Sequence, residues 1–211
     1  MGTTTTRRSP VQERSQETVA RILAATATLL ARGTAIESLT TAHIATEAQL
    51  SVGGLYRFFP DKQAIVDAIA VRHMELFQEQ LGAALMADFP ETPQIFLSRV
   101  IDAFVTYLDA HPDFRTVAFG GAKGEGGGSG RHISRPTRED YAGTQVSDMV
   151  LDFLSGAFEI DPTPDLAFRL RLATEIGDRL LAYAFEQQDT ATRTRILTEA
   201  KTLLGAFLFP L

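Results

Sequence analysis

The chain has 211 residues, of which 45% are hydrophobic and 22% charged, with a net charge of −6 and no cysteine. That is enough apolar material for one large domain or for a small domain beside a larger one, and the charge content is that of a globular chain, not a disordered one. Without cysteine there are no disulfides, no thiolate metal sites and no thiol nucleophile, and no apolar run approaches the roughly 18 residues of a membrane-spanning helix.

The charge is unevenly placed. Residues 1–62 hold seven Arg/Lys against five Asp/Glu, and residues 63–211 hold thirteen against twenty-one. A mildly basic small segment on an acidic larger one fits a local nucleic-acid surface and argues against wholesale coating of nucleic acid.

Residues 1–14 are rich in Thr, Arg and Ser around Pro10 and are expected as a flexible basic tail. The alternative is a basic arm that lays Arg7, Arg8 or Arg14 on phosphates or in a minor groove. Arg7–Arg8 and Met1–Gly2 with Thr6 also fit address-signal patterns. The apolar stretch from Ile22 follows Glu13 and Glu17 and has helical periodicity, unlike a signal segment.

Ser15 to Arg32 reads as the first full helix, with Val19, Ile22, Leu23, Thr26, Leu29 and Leu30 at helical spacing and Gly33 closing it. The stretch Leu39–Lys62, LTTAHIATEAQLSVGGLYRFFPDK, reads as two short helices joined by a tight turn and followed by the start of a third. Thr40 caps the first, and Ile44, Ala45 and Ala48 give it a small apolar face. Gln49–Leu50 makes the turn, and Ser51 caps a very short second helix with Val52, Gly53, Gly54, Leu55 and Tyr56. Pro60–Asp61 stops it, and Asp61 caps the next. A helix this short, with one Leu as anchor, is not mainly core. It is small enough to lie end-on in a major groove, and its glycines allow close backbone approach to DNA.

From Lys62 to about Met86 one long helix carries a broad apolar surface, with His73 on it as a ligand contact or a buried structural residue. Thr92 and Pro93 start the next helix, strongly amphipathic to Ala110 and broken by His111–Pro112–Asp113. A short helical piece with Phe114, Val117 and Phe119 follows. Gly120–Gly130 holds seven glycines, lacks the spacing of a phosphate-binding loop and is expected as a flexible loop, with a basic string of Arg131, His132, Arg135 and Arg138 after it. Three more helices are expected at 137–156, at about Pro164–Gln187 and at about Thr190–Leu208.

The sequence therefore predicts an all-α fold. The four His, at 43, 73, 111 and 132, show no metal-ligand spacing, and no Ser nucleophile elbow occurs, so neither a metal, a cofactor nor an enzyme activity is expected.

Residues 39–62 resemble the helix-turn-helix of the TetR family of bacterial transcriptional regulators. The resemblance rests on Thr40–Thr41, Ile44–Ala45, Ala48, Leu50–Ser51, Gly53, Leu55–Tyr56, Phe59 and Lys62 in register. The chain departs from the pattern at Gln49, where the family has Gly, and at Phe58, where His or Tyr is frequent. Gln49 implies either a turn without positive φ or some strain. The resemblance implies a DNA-reading domain at 15–62 after the tail at 1–14, and an effector-binding and dimerisation domain at 63–211. It implies DNA contacts at Thr40, Thr41, Ser51, Val52, Gly53, Gly54, Tyr56, Arg57, Phe58 and Lys62.

The resemblance also implies a homodimer through the last two helices, with Leu170, Ala173, Gly177, Leu180, Ala184, Ile196, Ala200, Leu203 and Phe207 at the interface. It further implies a small-molecule effector that weakens DNA binding. Phe77, Phe96, Phe104, Phe119, Met149 and Phe153, with Tyr107 and Tyr141 as polar handles, are the expected lining for an apolar or aromatic effector. The partners expected are thus a double-stranded, pseudo-palindromic operator, an effector and a second copy, with no membrane, in the cytoplasm. A C-terminal domain that binds a protein instead of a small ligand is the alternative.

Overall fold

The computed structural model describes residues 10–119 and 143–210, with side chains from Arg14 in the first stretch and from Val146 in the second. The first nine residues, the Gly-rich run, the basic string after it and Tyr141 lie outside the described residues. Nine helices occupy the described residues: α1 (Pro10–Ala31), α2 (Thr41–Glu47), α3 (Val52–Tyr56), α4 (Lys62–Ala87), α5 (Pro93–Ala110), α6 (Pro112–Phe119), α7 (Gly143–Phe158), α8 (Pro164–Glu186) and α9 (Thr190–Leu208). No strand occurs among them, and the expected all-α class stands. One boundary differs. α1 starts at Pro10, five residues before Ser15, because Pro is well suited to a first helical position, so Arg14 belongs to the helix and not to a tail.

Helix starts follow local chemistry. The hydroxyls of Thr40, Ser51, Thr92 and Thr163 accept from the N–H of His43, Gly54, Ile95 and Leu166 at 3.0–3.2 Å, and Asp189 accepts from Ala191 and Thr192. Each cap satisfies a backbone donor that the helix cannot. α1 ends at a Gly33 with φ +89°, where Thr34 N–H reaches Leu29 O (3.1 Å) and Gly33 N–H reaches Leu30 O (3.0 Å). That pair of bonds is the Schellman closure.

The described residues fall into two compact units. The first comprises residues 10–70 with 112–119. Its core is built from Ile22, Leu39, Ile44, Leu55 and Ile65, all fully inaccessible, each worth ~1.5–3 kcal/mol of burial. α6 belongs here and packs on α1, with Phe114 and Val117 buried, although its place in the sequence put it with the C-terminal part.

The second unit comprises residues 71–111 and 143–210. α8 and α9 form a hairpin, α7 packs on α8 and α5 on α9. Gly177 lets α9 approach closely, since a Cβ there would lie 3.5 Å from Leu204 Cδ1. Lys201 bridges both carboxylate oxygens of Asp102 (2.8 and 3.0 Å). The Arg193 guanidinium pairs with Asp109 at 2.7 Å and lies over the Phe185 ring. Along one exposed side of α9, the hydroxyls of Thr194, Thr198 and Thr202 each donate to the carbonyl four residues back, at 2.9–3.1 Å. No helix among the described residues is long and apolar enough to cross a membrane.

Candidate nucleic-acid interface

α2 and α3 are set by backbone bonds at their junction. Leu50 N–H reaches Ala45 O at 2.8 Å and Gln49 N–H reaches Thr46 O at 3.1 Å, the same Schellman closure that ends α1. Here the position after the cap is Gln49, with φ +55°. Of the two readings the sequence left open, the turn therefore takes the strained one: a non-glycine residue in the left-handed region.

α3 is five residues long and held from below by Leu55, with Phe59 buried just beyond its end. Its other face is open. Val52 is 40% and Tyr56 51% exposed, and Ser51, Gly53 and Arg57 are exposed beside them. Tyr56 and Thr41 hydroxyls lie 3.2 Å apart and tie α3 to the first turn of α2. Thr40 and Ser51 accept backbone N–H bonds as caps, so their hydroxyl protons remain available to an outside acceptor. Arg57 makes no bond through its side chain among the described residues, whereas Arg32 is paired with Glu47 at 3.2 Å. This is one surface of hydroxyls, one free guanidinium and a bare backbone segment. Such groups suit phosphate oxygens and base edges.

Two expected DNA residues stand differently. Phe58 is half-buried and has no polar atom, so it supports α3 from the side and offers DNA no hydrogen bond. Lys62, expected as a phosphate donor, turns its ammonium inward onto the carbonyls of Ile36 (2.9 Å), Glu37 (3.1 Å) and Leu39 (3.0 Å). An ammonium has three N–H donors, and all three are taken.

The residues expected to line an effector pocket do not enclose one. Phe77, Phe96 and Tyr107 are buried core. Phe77 meets Phe104 and Tyr107 edge-on at 5.0 and 5.5 Å, and Phe96 stacks on Phe153 at 4.3 Å beside Phe158 and Phe89. Aromatic rings in such geometries satisfy one another and leave no void between them. His73 is 8% exposed with Nδ1 2.8 Å from the Tyr107 hydroxyl, which makes it a structural residue; its ring also meets that of His111 at 5.1 Å. Phe119 lies in the first unit, apart from the others by the division of the chain. A groove of about 480 Å³ does open in the second unit, between α4 and α7. Val71, Met74, Gln78 and Met149 form its floor and walls, with Glu75, Asp148 and Asp152 exposed at its rim; Met149 alone was expected there.

The dimer residues also divide. Leu170, Ala173, Ala184 and Ala200 are buried against the chain's own helices and are not available to a second copy. Gly177, Leu180, Ile196 and Phe207 are half-buried, and Leu203 is 51% exposed. The outward apolar residues of α8 are instead Phe168, Leu172 and Tyr183, which sequence reasoning missed. They recur at helical spacing, but so does the buried set.

A helix-turn-helix carried on an otherwise all-helical chain defines a DNA-binding regulator. Residues 22–69 match the sequence model of "Bacterial regulatory proteins, tetR family". Through this segment the chain belongs to the TetR family, whose members are DNA-binding transcription factors and not enzymes. Among solved structures, a TetR-family transcriptional regulator from Streptomyces coelicolor is 26% identical, with a TM-score of 0.67 over 90% of this chain and 97% of that one. A TetR-like transcriptional regulator from Rhodococcus sp. RHA1 is 15% identical, with a TM-score of 0.54 over 96% and 97%. The TetR family repressor AlkX from Dietzia sp. is 18% identical, with a TM-score of 0.51 over 90% and 94%. The last two show the fold alone. No curated protein matched.

Proposed function

We propose that this chain is a ligand-responsive transcriptional repressor of the cytoplasm that binds a pseudo-palindromic operator as a homodimer and leaves it when a small molecule binds the C-terminal part. The observation that carries the DNA reading is the open face of α3, where Tyr56, Arg57 and Val52 stand beside the capping hydroxyls of Thr40 and Ser51 with nothing of the chain over them. In this reading Arg57 reaches a guanine edge, Val52 a thymine methyl, and Thr40, Thr41, Ser51 and Tyr56 the phosphates. Gly53 and Gly54 bring the backbone close. With so few base-reading side chains, DNA shape supplies part of the specificity.

The domain roles follow. Residues 15–62 read DNA, and the remainder pairs with a second copy and takes the effector. A two-fold dimer spaces its half-sites by about one helical turn, roughly 34–36 Å, or a multiple. Phe168, Leu172 and Tyr183 of α8 with Leu203 of α9 are the apolar anchors of that contact, in place of the residues that the chain buries in itself. The effector enters the α4–α7 groove. Its Val and Met walls suit an apolar body, and its three rim carboxylates repel an anion.

The experiment is an electrophoretic mobility shift on the DNA flanking the chain's own gene, beside Tyr56→Ala and Arg57→Ala, with random-sequence selection for an operator. A discrete, salt-dependent shift lost in both variants supports the reading. If selection enriches no sequence, the regulator reading fails. Once an operator is known, apolar cations, apolar neutral molecules and fatty acids are compared for release of it. Release by the acids alone would refute the groove as the effector site.

A further inference from the structure

Lys62 opens α4, yet its three bonding partners lie between 23 and 26 residues earlier, in the turn that leads into α2. That turn is closed by Ser38 N–H to Ala35 O (3.0 Å) and Leu39 N–H to Ala35 O (3.1 Å), which leaves the carbonyls of Ile36, Glu37 and Leu39 converging on one point. Converging carbonyls repel one another, and a buried carbonyl without a donor is costly. The ammonium of Lys62 removes both difficulties, with charge-assisted bonds to all three. Immediately after the turn comes Thr40, the cap of α2, and then Thr41, whose hydroxyl meets Tyr56 on α3.

We propose that Lys62 is a positioning residue of the DNA-reading unit and not a phosphate ligand. It fastens the first turn of α4 to the 36–39 turn, and thereby holds the α2 N-terminus and the Thr41–Tyr56 pair where α3 needs them. A hydrocarbon side chain at 62 leaves three carbonyls to separate, the cap at Thr40 drifts with them, and the reading face loses its register while its own side chains stay intact.

The effect on DNA rests on the regulator reading above, but the bonding itself does not, and the two are tested apart. The chain has three lysines, at 62, 123 and 201, so reductive methylation read by mass spectrometry resolves each one on the full-length wild-type protein. The expected result is that Lys62 is methylated much more slowly than in the denatured chain, equally so with and without DNA. Fast labelling in the free protein, with protection only on adding DNA, overturns the proposal.

The second measurement is operator binding against salt for wild type, Lys62→Met and Lys62→Arg. Ile22→Val serves as a control for general destabilisation. Lys62→Met is expected to weaken binding roughly tenfold or more at every salt concentration with the salt slope unchanged, and Lys62→Arg to restore part of the loss. Ile22→Val is expected to bind as wild type. A slope smaller by about 0.9 marks a lost phosphate contact and overturns the proposal. Unchanged affinity in Lys62→Met does so too. If wild type selects no operator, it is the regulator reading that fails, and methylation of the free protein still decides the role of Lys62.

Discussion

Replacing Gln49 by Gly should stabilise the protein, although it removes a side chain and adds none. Gln49 sits at φ +55° in the α2–α3 turn, its side chain is exposed, and it makes no hydrogen bond through that side chain among the described residues. For an L-residue the left-handed region costs about 1–2 kcal/mol. Gly escapes that cost but gives back ~0.4–1 kcal/mol through the greater freedom of its unfolded chain. The net gain is about 0.5–1 kcal/mol, because neither backbone bond of the closure, at 2.8 and 3.1 Å, depends on the side chain. For a chain of this size that corresponds to a rise in Tm of ~1–4 °C.

Urea denaturation followed by circular dichroism, with calorimetry beside it, measures the change, and the m-value should be that of wild type. Gln49→Ala keeps the backbone cost and should fall within about 0.5 kcal/mol of wild type. A Gln49→Gly variant less stable than wild type would refute the reasoning. So would a Gln49→Ala variant that loses more than about 1 kcal/mol, since the side chain would then be holding the turn.

Gly53→Ala should move stability and binding in opposite directions: nothing lies within 4 Å of the added methyl, so α3 gains up to ~1 kcal/mol of helix propensity, while operator affinity by fluorescence anisotropy falls because the methyl stands between backbone and DNA. Leu172→Glu should convert a dimer into a monomer in sedimentation velocity with helicity unchanged. Leu170→Ala, at a buried site two residues away, should instead cost about 2–5 kcal/mol of fold stability. Bonds from the Thr192 hydroxyl, the Thr192 N–H and the Ala191 N–H hold the Asp189 carboxyl below its ordinary value of 3.8. A depressed folded value means that the unfolded chain takes up the proton first. The stabilisation from this cap is therefore complete above the ordinary carboxylate range and fades as pH falls through and below it. Thermal melts of Asp189→Asn against wild type should converge as the buffer is made more acid.

What the sequence showed of this fold was local. Caps at Thr40, Ser51, Thr92 and Thr163 declare themselves because the bond they make is three residues long. The open face of α3 was legible for a similar reason, since a five-residue helix with one Leu has little to bury. What the sequence hid was tertiary. α8 carries apolar residues on two sides, and no spacing rule tells Leu170, Ala173 and Ala184, which the chain covers, from Phe168, Leu172 and Tyr183, which it leaves out. The phenylalanines looked like pocket lining because a ring facing a void and a ring facing another ring have the same letter. Lys62 looked like a phosphate donor because its three carbonyls are more than twenty residues away in sequence. In each case residue type was a sound guide to chemistry and a poor guide to which partner would be in reach.

The threonine hydroxyls of α9 alter what its outer side is. By composition, Thr194, Thr198 and Thr202 make a polar strip leading up to the exposed Leu203. Each hydroxyl proton is already bound to its own helix, which leaves the strip without a free donor on these side chains. The usual obstacle to drying a polar surface is a donor stranded without water, and that obstacle is absent here. In contact terms the strip is a row of methyl groups written in a polar alphabet, and hydropathy understates how readily that side of α9 can give up its water.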